Sequence, residues 1–289
     1  MSDPEKKKND NREVEWSFDF AKLGESFSSL LNSLAGEEEL RESTFVSPIG
    51  TANSARVKID FSVGKAFLQA AEAGTENLLE AHLKHVGEIE FSEEGDDVKT
   101  VTLKQQEKPG FSAAPFQRGF RALANRDDLE WSISLAPGIP LSLDVDGGVG
   151  PTQMDLTGLR VRKVDADTGV GTLTLVLPEQ TEKMDVEVDG GVGQTKIFIP
   201  NNTIVDLDVD AGVGATEITI PPNAAVQIKA NNGLGSVSVP KSLQRIDKPE
   251  FMEMGGVWQS PGFDLAERKI TIRYDGGVGQ LTVREAEMI

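Results

Sequence analysis

Two columns of repeated acids hold whatever chemistry this chain can offer. Asp146, Asp167, Asp189 and Asp210 each stand before a short glycine-rich element, and Asn231 and Asp275 fill the same place in two further copies. Two residues earlier come Asp144, Asp165, Glu187 and Asp208, then Lys229 and Arg273. Carboxylates at this density suit calcium, which gathers oxygen ligands from acids and carbonyls. If the copies stack in register, neighbours within a column lie about 4.8 Å apart. Two unit charges at that distance repel by about 0.9 kcal/mol in water, so four successive acids cost a few kcal/mol, less in salt.

Two roles compete for these acids. Aspartate beside a tight corner accepts hydrogen bonds from the corner's own N–H groups, which Asn231 could also do. The alternative is a file of divalent cations between rungs. Calcium-binding nonapeptide rolls carry their aspartate after Gly-x-Gly, where this chain has Gln194, Thr172, Ala215 or Ser236. Lys229 and Arg273 would also break the file. Turn acceptance is therefore the leading expectation. Asp144, Asp146, Asp165, Asp167, Glu187, Asp189, Asp208 and Asp210 remain the calcium candidates, and no other cofactor is expected.

Catalysis by these groups is not expected. A glycosidase needs two carboxylates in unlike environments, one with a raised pKa, whereas these acids are repeated and equivalent. A carbohydrate-active β-helix of the lyase type would need a base beside its acids, and Lys229 and Arg273 stand far apart along the chain. The two histidines, His82 and His85, could share a face of a helix, but no third ligand is spaced for a metal. They are expected to be exposed. The Gly-x-Gly elements lack the lysine and following helix of a phosphate loop.

The elements that position the acids are legible from the period. The glycines closing the copies, Gly150, Gly171, Gly193, Gly214 and Gly235, are 21, 22, 21 and 21 residues apart, and Gly279 follows after 44. A degenerate copy at Gly255–Trp258 divides that last gap. A fixed period of this size marks a solenoid in which each repeat is one coil. Before each corner, apolar residues alternate with polar ones (Leu141, Leu143 and Val145 against Ser142, Asp144 and Asp146), which is a strand with one buried face. A second short strand follows, and Pro178, Pro200 and Pro221 each stand seven residues past a corner glycine to end it. Val192 is assigned to the core on this register. Val57–Gly64 and Val86–Gly87 are read as earlier copies, and residues 104–128 as an irregular insertion.

The chain has 47 acidic and 29 basic residues, a net charge of −18, and no cysteine. Nucleic acid is disfavoured as a partner, and disulfides and thiolate metal sites are excluded. No apolar run is long enough for a transmembrane segment and the N-terminus lacks a secretion core, so a cytoplasmic location is expected, with peripheral contact at the inner face of the membrane left open. Residues 1–15 are expected to be a disordered tail. In 16–45, Phe20, Leu23, Phe27, Leu30, Leu31 and Leu34 fall at helical spacing. The helix over 20–34 would cap the solenoid, or dock on a protein partner or a twin of itself. The solenoid itself is expected over 46–289.

A strand at Ala55–Phe61, the Leu78–Leu79 segment, the lead-in Trp131–Leu135 and coils of the form D-x-D-G-G-V-G-x-T-x-I-x-I-P occur in that order. This series resembles the bacterial toast-rack domain of LiaF-like envelope-stress proteins and of adhesin-type proteins. The resemblance spans residues 45–289 and implies a right-handed β-helix, with no catalytic residues. It also implies a binding or adaptor role in cell-envelope stress sensing. LiaF-like proteins carry transmembrane helices ahead of this domain, where this sequence has only the segment at 20–34. The alternative is a bactofilin-like scaffold that self-assembles end to end. Trp258 in a glycine slot, the Pro261–Gly262 corner and the charged close at Arg284, Glu285 and Glu287 argue for protected ends instead.

Overall fold

A computed structural model describes residues 40–106, 128–248 and 255–287. The helix expected over 20–34, the tail at 1–15 and most of the insertion at 104–128 lie outside these residues. What is described is β-structure throughout, with one 3₁₀ turn at Phe263–Leu265 and no α-helix. Pairing already begins at β1 (Arg41–Pro48), inside the stretch assigned to helix and linker.

Four strands make the heart of the stack: β8 (Pro140–Val149), β10 (Arg160–Val176), β11 (Met184–Phe198) and β12 (Val205–Ile220). They pair in parallel and in register, residue on repeat-equivalent residue, so that Val145, Ala166, Val188 and Val209 lie side by side. Long β10, β11 and β12 bend at their glycines and run on into a second face, which β9 (Thr152–Asp155) continues. Alternation puts Leu143, Val164, Val186 and Leu207 inside, each at most 2% exposed.

The earlier strands extend the stack. β2 (Ser54–Val63) lies parallel to β8, and β3 (Lys65–Ala70) lies parallel to β9, so Gly64 between them is a true corner. The expected copy at Val86–Gly87 is not a coil. β4 (Asn77–His85) runs antiparallel to β1 and to β7 (Glu130–Leu135), and Gly87 is a left-handed turn at φ 75° leading to β5 (Ile89–Glu94). β6 (Val98–Gln105) pairs parallel with β2 and antiparallel with β5. Lys104 and Gln105 therefore belong to a strand, not to the insertion.

The order of the last coils departs from the order of the sequence. β16 (Ile270–Glu285) is inserted between β12 and β13 (Val226–Ser238), parallel to both. Residues Gly255–Trp258 do not form a corner, because β15 (Gly256–Gln259) turns back antiparallel on β13 at Gln227–Ala230. Two residues of β14, Gln244 and Arg245, border β15 in turn. Arg284 and Glu285 thus lie within the stack, on Thr219 and Ile220, and do not close its end.

The glycine-rich corner has a steric cause. A Cβ on Gly193, at φ 150°, would sit 1.7 Å from the carbonyl oxygen of Gly171 in the preceding coil. One on Gly191 would sit 2.0 Å from the oxygen of Gly169. Backbones approach too closely there for any side chain, and the first of these positions also needs a φ that L-residues rarely adopt.

Candidate functional site

The register assembles the first acidic column more fully than the sequence order implied. Asp60, Asp146, Asp167, Asp189, Asp210 and Asp275 are successive partners, with Lys104 outside Asp60 and Asn231 outside Asp275. The C-terminal strand supplies Asp275 directly beside Asp210, so Asn231 ends the row and does not interrupt it. Asn231 donates its amide N–H to Asp275 at 2.8 Å.

The expected turn hydrogen bonds are not how these acids are held. The carboxylates of Asp146, Asp167, Asp189 and Asp210 accept none from a corner N–H among the described residues. Those donors are taken by the next coil: Gly150 N–H donates to the Val170 carbonyl at 2.9 Å, and Gly64 N–H to Val149 at 3.0 Å. Bending a stacked ladder keeps its backbone pairs intact and leaves the acids facing outward without N–H partners. Their shared environment raises their proton affinity. Desolvation comes first, followed by a hydrogen bond to Asp189 and repulsion from Asp189 and Asp146, and together they push Asp167 up to about 6. Burial and neighbouring aspartates also raise Asp146 and Asp210.

The second column is built differently. Lys58, Asp144, Asp165, Glu187, Asp208, Arg273 and Lys229 are successive partners, so Lys229 and Arg273 are neighbours, not distant as the chain order suggested. Cations neutralise this row. Lys163 Nζ lies 2.9 Å from Asp165 and 3.6 Å from Glu187, and Lys58 lies 3.9 Å from Asp144. Arg273 grips Asp208 with two N–H groups, Nε at 2.6 Å from Oδ1. Among the described residues, no group of three or more histidines or acids is arranged to hold a metal ion.

Beside the corner's acids runs an open groove of about 630 Å³. One wall is Asp146, Asp167, Asp189, Asp210 and Asp275, and the floor is bare backbone at Gly148, Gly169, Gly191, Gly212 and Gly277. Beyond the floor comes an apolar row that the period alone did not reveal. Val63, Val149, Val170, Val192, Val213, Val278 and Leu234 are successive partners. Val192, Val213, Val278 and Leu234 are 48%, 47%, 41% and 62% exposed. The assignment of Val192 to the core is thus corrected: the bend at Gly191 breaks the two-residue alternation and turns the valine outward. The sequence signal was the valine's constancy between two glycines.

The histidines are also placed differently than expected. Both lie on a strand, β4, where residues three apart point to opposite faces. His82 is exposed, 3.1 Å from Thr44 Oγ1 and 3.4 Å from Glu80. His85 is 3% exposed. Its Nε2 lies 3.0 Å from Ser43 Oγ, and burial lowers its pKa below the ordinary 6.5.

The family model described as the N-terminal domain of toast_rack (DUF2154) matches residues 35–198, more than half of the chain. The chain belongs to the toast-rack family. Among solved structures, a "putative cell adhesion protein" from Clostridium sporogenes is 19% identical, with 86% of this chain and 100% of that one covered, at a TM-score of 0.50. At that identity the likeness supports the toast-rack fold alone. A "putative adhesin" from Bacteroides fragilis is 12% identical, with 87% of this chain and 100% of that one covered, at a TM-score of 0.28. No curated protein matches the chain. What the family and the site give together is a β-solenoid-type module.

Proposed function

We propose that this toast-rack module is an adaptor that works by binding, in a bacterial system that senses or transmits cell-envelope stress. The observation that carries the reading is family membership over residues 35–198. The surface supports a binding role: its acids stand in two long rows along the stack, beside a row of exposed aliphatic side chains. Among the described residues no helix is long and apolar enough to cross a membrane. A peripheral place at the inner face of the membrane belongs to the same proposal.

Deleting the gene in the source bacterium tests it. Transcription is profiled with and without an antibiotic that blocks cell-wall synthesis. The adaptor reading expects the induced set of genes to change in size or threshold, restored by the full chain. An induced response identical to wild type would refute it.

A second reading, the self-assembling scaffold, draws on one observation. Among the described strands, none borders the outer side of β13 at Ser236–Ser238, whose inner side pairs with β16. An uncovered parallel edge is a template for another copy. Filaments in negative stain of the purified chain would favour it, and a monodisperse particle at high concentration would remove it.

A further inference from the structure

The adaptor reading leaves open which face binds and what it binds, and the corner answers both. An apolar row and an acidic row run parallel along the stack, separated by glycine-rich backbone on which Thr168 and Ala211 are the side chains that line the groove. We propose that this corner is a docking groove for an amphipathic helix of a partner protein. Its apolar stripe would seat on Val170, Val192, Val213, Val278 and Leu234, and lysines or arginines on one flank would meet the aspartate row. This inference rests on the adaptor reading and adds its surface and the chemistry of its partner.

Three observations choose that occupant. The first is continuity with packing already present. At the near end of the row the chain covers its own valines: Val86 and Leu129 pack with Val63, and Val149 packs against them. Beyond Val149 the same row emerges from cover, so the apolar surface continues a contact the fold has begun. Exposed aliphatics aligned in one row mark a contact surface more than scattered ones do.

Charge is the second. The outer acidic row is matched by Lys58, Lys163 and Arg273, but Asp146, Asp167, Asp189 and Asp210 have no ion pair with a cation among the described residues. A cationic flank would relieve this repulsion. A second copy of the chain brings only the same groove, whose lining holds aspartates and no lysine or arginine.

Spacing is the third. The groove crosses the strands, so its rungs repeat at about 4.8 Å. One turn of α-helix rises 5.4 Å, close enough for flexible lysines to follow. Same-side residues of an extended peptide repeat at about 6.8 Å and drift out of step within two rungs. From Asp146 to Asp275 the row spans roughly 19 Å, about 13 residues of helix, and the row from Val170 to Leu234 covers the same number of rungs and asks for about the same length.

The test uses the full chain and a synthetic 16-residue helical peptide with leucines at i, i+4, i+7 and i+11 and lysines along one flank. A control peptide carries glutamates in place of the lysines. Fluorescence anisotropy is measured for wild type, for Asp189→Asn with Asp210→Asn, for Val192→Ser with Val213→Ser, and for a distant pair, Asp155→Asn with Glu267→Gln. The proposal expects the lysine peptide alone to bind. Each corner pair should weaken it at least tenfold and the distant pair less than twofold. Equal weakening by all three pairs would reduce the binding to overall charge and overturn the proposal, as would no binding at all. So would dimerisation of the wild type that Val192→Ser with Val213→Ser abolishes. In the source bacterium, corner variants that leave the stress response intact while gene deletion alters it would sink the groove and spare the adaptor.

Discussion

Replacing Asp167 by asparagine should make the protein more stable at neutral pH. The side chain keeps its shape, and its amide can donate to Asp189 as Asn231 donates to Asp275 at 2.8 Å. What changes is charge. Asp146 and Asp189 are its register partners, and each repels it by about 0.9 kcal/mol at about 4.8 Å in water. A screening length of about 8 Å at physiological salt roughly halves each contribution, leaving about 1 kcal/mol for the pair. The sign of the pH dependence follows from the raised pKa. With Asp167 titrating at about 6 when folded, against 3.8 ordinarily, the folded state holds more protons between those values. Wild type therefore gains stability as pH falls through about 6, and the variant lacks this gain. Urea unfolding should show Asp167→Asn ahead by about 1 kcal/mol at pH 7.5, level with wild type near pH 4.5, and ahead by only about 0.3 in 1 M salt. A variant less stable than wild type at pH 7.5 would refute the reasoning, since only a structural acceptor role for the carboxylate would do that.

Other perturbations separate the remaining parts. Gly193→Ala, whose Cβ would meet the Gly171 oxygen at 1.7 Å, should cost about 3–5 kcal/mol or abolish soluble expression, read by thermal melting. Val188→Asp, fully buried, should unfold its coil at a cost above about 4 kcal/mol, whereas Val192→Asp at 48% exposure should stay within about 1; similar melting curves would reverse the in–out assignment at the bend. His85 binds protons less readily when folded, so its contribution to stability falls as pH drops below 6.5; in His85→Leu that acid limb should be missing from melts taken between pH 7.5 and 5. Calcium at 1 mM should raise the melting temperature no more than magnesium does, and a calcium-specific rise lost in Asp189→Asn would install the ladder as an ion site.

The coils were legible because stacking forces one-to-one equivalence: each apolar position must repeat, and the glycines repeat because backbones collide there. That is why Leu141, Leu143 and Val145 could be assigned to the core. Val192 could not be placed by alternation, because the bend resets the phase that alternation counts. Sequence spacing also carries no information on which strands become neighbours. Asp275 is 65 residues from Asp210 in the chain and adjacent to it in the sheet. The histidines of antiparallel β4 were weighed on a helix, where a spacing of three shares a face, whereas on a strand it sends His82 outward and His85 inward.

Insertion of β16 between β12 and β13 bears on how the protein is made. During synthesis β13 leaves the ribosome before β16 exists. It carries the same pattern that β16 uses to pair with β12: Ile228 and Ile272 are partners, as are Leu207 and Ile272. A nascent chain can thus lay β13 on β12 in a plausible but wrong order, which must open before the final strand slots in. Translation of β16 therefore acts as a checkpoint, and a chain interrupted before it leaves the edges of β12 and β13 competing for each other.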